Sequence, residues 1–324
     1  MKILMIAVND PAGTGIGFCR AVNRLGRHEA RIVTLETRYT HSWPKDLHVP
    51  DLTGPGGDGA GLAELERLLK TSDVFHFHMT ADEHLRLGPF LPADHLSGKV
   101  VVHHEHGHHD FRSNPEAFRE KYRRLGRKNL LVSTPDLKRM MPEARWQPNL
   151  VHQDEPALRP AERQWSGALR LAHSPTRKDL KNTDELLAVV EALRERGAGI
   201  ELDMIDNVPH SQCLARKRMN HALFDHMQGY YGVSSLEGLS QGLAVIAGLN
   251  AWNRAHVAEF AGVPEADLPW VLAHDADGLA AALSSLAGDL DRCRAIGEAS
   301  RRFVEQRWSE EKVAGHLCDF WDAL

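Results

Sequence analysis

Short apolar runs alternate with stretches of helical periodicity along most of the chain, the pattern of parallel strands covered by helices on both faces. Residues 3 to 8 read as a first buried strand, followed by a loop and helix over 13 to 25 and a second strand from Ala30 to Leu35. Val74-Phe-His-Phe-His78, Val100-Val-Val-His103 and Leu130-Leu-Val-Ser133 continue the series. Two prolines and little periodicity mark Glu155 to Gly167 as an interdomain linker. A second series then opens with a strand from Leu169 to His173 and a helix from Asn182 to Arg196, with Asn182 as N-cap, Glu185 three residues on and Gly197 past its end. Residues 200 to 205, the segment near Ala222 to Phe224, Ala244 to Ala247 and Trp270 to Leu272 supply further strands. Helical patterning returns over Asp289 to Gln306, and Ser309-Glu-Glu-Lys opens a last helix running to Leu324.

This organisation predicts an α/β protein of two doubly wound, Rossmann-like domains facing a central cleft, with domain one over 1–158, domain two over 159–308, and a closing helix over 309–324. Ligands of open α/β sheets bind outside the carboxyl ends of the strands, so candidate chemistry is sought in the loops there. A length of 324 residues accommodates two such domains, each with its own core. A net charge of −5 argues against general nucleic-acid binding, and no nucleic-acid partner is expected. Cys19, Cys213, Cys293 and Cys318 have no paired spacing, which suggests neither a disulfide framework nor a zinc knuckle. The opening apolar run has only the length of a buried strand and lacks a small-residue cleavage site, and no stretch approaches the ~20 apolar residues of a membrane span. A cytoplasmic protein is expected, with any membrane contact peripheral.

The sharpest candidate site is Ser174-Pro-Thr-Arg-Lys-Asp-Leu-Lys181, a loop between an apolar strand and a strong helix. Two cations four apart at a helix entrance suit a diphosphate, which Arg177 and Lys181 would hold by charge-assisted hydrogen bonds. Downstream, Gly232-Val-Ser-Ser-Leu-Glu237 combines a glycine with a carboxylate able to grip ribose hydroxyls. Gly13-Thr-Gly-Ile-Gly17 follows the first strand, where glycines permit close approach to a phosphate or a sugar, although a tight strand-to-helix turn requires glycine anyway.

Histidine is the compositional oddity. His76 and His78 end one strand and His103-His-Glu-His-Gly-His-His109 ends the next, with His104 and His106 on one face. Such a cluster reads either as zinc or non-haem iron ligands or as the lining of a polar pocket, and the pocket reading, with no metal, is the one adopted. The helix over 116–128 is crowded with cations and carries Phe118, Tyr122 and Leu125 as one narrow stripe, read either as a surface helix packed on its sheet or as a contact for anionic lipid or a lipid-linked acceptor.

From Leu169 to about Ala247, and more weakly at the N-terminus, the chain resembles the retaining GT-B glycosyltransferases of the glycogen synthase-like "glycosyl transferases group 1" superfamily. The resemblance rests on Leu169-Arg-Leu-Ala-His-Ser-Pro-Thr-Arg177, Lys181-Asn-Thr-Asp184 and Tyr231-Gly-Val-Ser-Ser-Leu-Glu-Gly-Leu-Ser-Gln-Gly-Leu-Ala-Val-Ile246. It implies transfer of a sugar from a nucleoside diphosphate donor, UDP or GDP foremost, to a saccharide, lipid-linked or protein acceptor in bacterial glycan or glycoconjugate synthesis. It also implies catalysis without a metal or other cofactor. By resemblance Arg177 and Lys181 bind the donor diphosphate, Glu237 the ribose, the loop of Gly13, Gly15 and Gly17 lies over the donor phosphates, and His106, followed by Gly107, contacts the donor sugar, with His109-Asp110 an alternative match. The last helix, with Phe320, Trp321 and Leu324, crosses back to the first domain in such proteins; packing within the second domain is the other reading. The family carries a first glutamate eight positions before the one matched by Glu237, and here that position is Gly229, with Asp225 and Gln228 nearby as substitutes. A binding subunit without catalysis and a histidine-cluster metallohydrolase are the alternative readings.

Overall fold

The computed structural model describes residues 1–37 and 44–324. The chain divides into two compact units, one of Met1–Leu150 with Glu311–Leu324 and one of Val151–Glu310. Both are built around a wholly parallel sheet, as near-continuous apolar strands require when helices cover both faces.

In the first unit the strands are β1 (Lys2–Ala7), β2 (Glu29–Thr34), β3 (Leu47–His48), β4 (Val74–His78), β5 (Val100–Glu105), β6 (Asn129–Val132) and β7 (Arg145–Trp146). Their order is β3-β2-β1-β4-β5-β6-β7, the doubly wound order that reverses between β1 and β4. The five longer strands lie where the apolar runs predict them; β3 and β7 are two-residue edges with no apolar run to announce them. Alternation along β4 sends Phe75 and Phe77 into a core with Leu4, Ile6, Leu65 and Leu69. His76 and His78 therefore emerge on the opposite face. The helix Glu310–Asp322 buries Val313, Ala314, Leu317 and Trp321. The Trp321 ring meets His28 and His76 edge-on at 5.6 and 5.7 Å, and Arg27 pairs with Asp319 at 2.7 Å.

In the second unit β8 (Leu169–His173), β9 (Ile200–Met204), β10 (Ala222–Phe224), β11 (Ala244–Ala247) and β12 (Val271–Leu272) run in the order β12-β11-β10-β8-β9. This is the other common doubly wound arrangement, with its switch point between β8 and β10. Leu171, Leu186, Val190, Phe224, Ile246 and Leu283 are among the residues of its core. Residues 151–158 pack here: the Ser240 hydroxyl donates to the Leu158 carbonyl at 2.8 Å, and Gln241 Nε2 to Ala157 O at 2.8 Å. No helix among the described residues is long and apolar enough to cross a membrane.

The helix predicted over 116–128 spans Pro115–Arg124. Tyr122 is buried and Phe118 packs with it against Phe111 and Leu130. Lys121 pairs with Asp82 at 2.5 Å, Arg119 with Glu143 at 2.8 Å and Arg127 with Glu83 at 2.5 Å. Tyr122 and Phe118 of the stripe thus face the core and these cations are matched by carboxylates, which fits the reading of a surface helix packed on its sheet.

Candidate functional site

The switch point of the second unit brings the loop after β8 against the loop after β10. Lys181 reaches across to Asp225, Nζ to Oδ1 at 2.6 Å. The other carboxylate oxygen accepts the Gly232 amide and the Ser235 hydroxyl, each at 2.7 Å. Burial works to raise the Asp225 carboxyl, but the charges of His226 and Lys181 and the hydrogen bonds outweigh it and hold the group far below the usual carboxylate range. Asp225 is therefore a strut that ties Lys181 to the start of the helix Val233–Ser240, rather than a free substitute for the missing glutamate. Gly232 sits close against the same pair: a Cβ there would lie 3.1 Å from both Lys181 Nζ and Asp225 Oδ2, a tight contact.

Arg177 sits earlier on the same loop, well exposed, with its guanidinium on Asp179 at 2.5 and 2.9 Å. An exposed pair of this kind contributes little to stability. Asn182 has a left-handed backbone (φ 51°) and caps nothing with its side chain. Its Oδ1 instead accepts the Met227 amide at 2.9 Å and Gln228 Nε2 at 3.2 Å, a second tie between the two loops.

Glu237, read from sequence as a carboxylate for ribose hydroxyls, is paired within the protein. Its Oε2 accepts from Lys217 Nζ at 2.6 Å and its Oε1 lies 2.8 Å from His210 Nε2. Both Glu237 and Lys217 are buried. Burial alone would raise the Glu237 carboxyl, yet the Lys217 charge and the His210 contact hold it at about 2. Lys217, disfavoured by burial, is in turn kept charged by Glu237. Lys217 also donates to Ser234 Oγ at 2.9 Å, and Ser234 Oγ lies 3.1 Å from Ser174 Oγ. A polar chain thus runs from the loop after β8 to Glu237. Gly238 next to it has a packing reason to be small: a Cβ would sit 2.5 Å from Leu223 and 3.0 Å from Val245, so it lets the helix lie against the sheet.

Gly229, at the position of the family's first glutamate, has φ 88° and pairs with Leu249 across a bridge. A side chain there is strained by the backbone and would meet Asn250 Nδ2 at 2.9 Å. The backbone here is built for glycine, and no carboxylate at this position fits it unchanged.

In the first unit, the loop after β1 is closed on itself. The Asp10 carboxylate accepts the amides of Gly15 and Ile16 at 3.1 and 2.9 Å, and the Gly17 amide donates to Gly13 O at 2.9 Å. Gly13 turns the chain at φ 64°, and a Cβ on Gly15 would strike Ile32 at 2.5 Å. Gly13 and Gly15 are explained by the turn and the helix–strand contact, and the amides of Gly15 and Gly17 are already taken by protein groups.

His106 follows β5 with its Nε2 2.9 Å from His78 Nδ1 and its ring stacked on that ring at 5.1 Å. Burial lowers the His106 imidazole to about 4. Gly107 beside it has φ 76° and accepts from Arg112 Nε at 3.2 Å. His103 points to the other face, against Phe77 and Tyr122. There the Tyr122 hydroxyl donates to Glu105 at 2.5 Å, and burial pushes the Glu105 carboxyl up to about 7.

Of the residues singled out from sequence, Lys181, Gly232 and Glu237 meet through this hydrogen-bonded set, with Arg177 on the same loop; His106, Gly13, Gly15 and Gly17 belong to the other unit. Sequence reasoning missed Lys217, His210 and Asp10. Asp10 carried a usable signal, an aspartate just before a glycine turn into a helix; Lys217 and His210 carried none.

No protein-family model and no curated protein sequence matches the chain. Solved structures do. An alpha-glucosyltransferase in complex with UDP and a mismatched 13-mer DNA aligns with a TM-score of 0.65 at 12% identity, over 98% of this chain and 99% of that one. TarM of S. aureus, solved with fondaparinux, alpha-GlcNAc-glycerol and UDP, aligns at 0.56 and 12% identity over 81% of this chain. The chain spans 58% of the length of that TarM chain. The O-GlcNAc transferase of Thermobaculum terrenum aligns at 0.53 and 15% identity over all of this chain and 67% of its own. The fold is that of the GT-B glycosyltransferases, with two Rossmann-like domains.

Proposed function

We propose that the protein is a retaining glycosyltransferase that takes a sugar from a nucleoside diphosphate donor to an acceptor hydroxyl. The observation that carries the reading is the switch point of the second unit, where Lys181, Arg177 and the buried Glu237 gather at the carboxyl ends of β8 and β10. Lys181 gives one N–H to Asp225 and keeps two for a diphosphate, with Arg177 beside it on the loop. Together they stabilise the charge that develops on the leaving diphosphate, the work a metal ion performs elsewhere, so transfer proceeds without one. The leaving phosphate takes the acceptor proton on the same face, which gives retention. Glu237, fixed by Lys217 and His210, has lone pairs left to accept from ribose hydroxyls. His106 is the residue assigned to the donor sugar. UDP is the first ligand to try, because two of the structures of similar fold hold it.

Gly229 favours a second reading, a protein of this fold that binds a nucleotide sugar without transferring it. Calorimetric titration with UDP, GDP, ADP, CDP and dTDP, followed by donor hydrolysis assays, separates the two. Binding that weakens in Lys181→Ala, together with turnover of a donor, supports the transferase. Binding without turnover supports the second reading, and no affinity for any of the five sinks both.

A further inference from the structure

Four histidines of the first unit stand on one face of its sheet, and the donor reading uses only one of them. His78 pairs in register with His104 across β4 and β5, His76 precedes His78 by two on β4, and His106 follows His104 by two. The rings of His76, His78 and His104 lie 4.6 to 5.5 Å apart. One nitrogen of each comes within 4.8 Å of the others, the group among the described residues placed to share an ion. Three imidazole nitrogens around a tetrahedral zinc at bonds of about 2.0–2.1 Å stand about 3.4 Å from one another, so modest side-chain rotation closes the set.

The polar bookkeeping of this face is otherwise open. His76, His78 and His104 are all buried. Both ring nitrogens of His76, both of His104 and Nε2 of His78 find no hydrogen-bond partner in the protein. Buried polar atoms are nearly always satisfied, and three adjacent buried side chains with none of these nitrogens bonded mark a place where something else supplies the partner. His78 is the exception that supports the geometry: its Nδ1 meets His106 Nε2 at 2.9 Å, leaving Nε2 for a metal, as an outer hydrogen bond does when it sets the tautomer of a ligating histidine.

The geometry points to a binding site for one divalent transition-metal ion, zinc foremost, held by His76, His78 and His104 with a water in the fourth position. A set of imidazoles without thiolate or carboxylate excludes magnesium and calcium as preferred occupants and suits zinc, cobalt, nickel or copper. The ion ties β4 to β5 next to the switch point of the first sheet. The three ligands are distinct from the diphosphate and ribose residues of the second unit, and they touch the donor reading only through His106, which bonds His78.

The test uses tag-free full-length protein, stripped by chelator and dialysed against micromolar zinc. Wild type is expected to take up one equivalent more than the His76→Gln/His104→Gln protein and to gain a zinc-dependent rise in melting temperature that the variant lacks. Cobalt(II) substitution in wild type gives a second readout that does not depend on the variant folding: intense visible absorption of a four-coordinate ion with nitrogen ligands. Equal zinc uptake by wild type and a folded variant overturns the proposal, as does a cobalt spectrum with only the weak bands of six-coordinate surface binding.

Discussion

The two sheets share a doubly wound topology and handle polar groups at their strand ends in opposite ways. In the second unit, beside the neutral His173, charged groups stand in pairs: Lys181 with Asp225, Lys217 with Glu237. In the first they are neutral imidazoles packed on one another, with several nitrogens unbonded. A buried charge persists only beside its opposite, whereas a histidine escapes the cost of burial by giving up its proton. One unit thus keeps charged side chains near its strand ends, the other uncharged donor atoms.

The largest effect that sharpens this contrast is expected at the buried pair. Glu237→Gln strands the Lys217 charge, and the loss of one partner should cost about 3 kcal/mol in urea unfolding, contrary to a surface carboxylate whose removal leaves the melting temperature intact. The double variant Glu237→Gln/Lys217→Met should recover most of that loss. A single variant within 0.5 kcal/mol of wild type breaks the comparison. Nucleoside diphosphate affinity of a still-folded Glu237→Gln protein should fall by about tenfold or more.

A pH effect follows from His173, whose Nδ1–H donates to Phe224 O and whose Nε2 accepts from the Thr183 hydroxyl in the core, and which is lowered by burial to about 4. The unfolded chain takes up this proton below about 6.5 and the folded chain does not until about 4. Stability therefore falls as pH drops from 6.5 to 4, by up to about 1.4 kcal/mol per pH unit. Subtracting the pH profile of His173→Gln from that of wild type isolates the effect; parallel profiles across this window refute it.

Smaller effects are expected on the loop after β8. Lys181→Ala should weaken nucleoside diphosphate binding by roughly 1.5–3 kcal/mol, about tenfold to a hundredfold, measured by calorimetry. Arg177→Ala should weaken it by about tenfold while leaving the unfolding midpoint in place, because its pair with Asp179 is exposed. Unchanged affinity in both variants removes the diphosphate from this loop.

The alternation of apolar runs and helical periodicity in the sequence by itself determined the strands of both sheets apart from the edge strands β3 and β7, the Arg177–Lys181 loop at a strand end, and the histidines clustered on two successive strands. Those features are local, since the period of a strand or a helix is written in adjacent residues. Tertiary structure decided which charges meet. Lys217 and Glu237 lie 20 residues apart and Lys181 and Asp225 lie 44 apart, on elements joined only when helices pack and β8 aligns beside β10. It also decided that Gly238 serves a helix–sheet contact, that the Asp10 carboxylate takes the amides of the first glycine loop, and that register sets His78 opposite His104. Pairing across a sheet and the fate of a buried charge depend on neighbours distant in the chain, and a one-dimensional pattern carries no record of them.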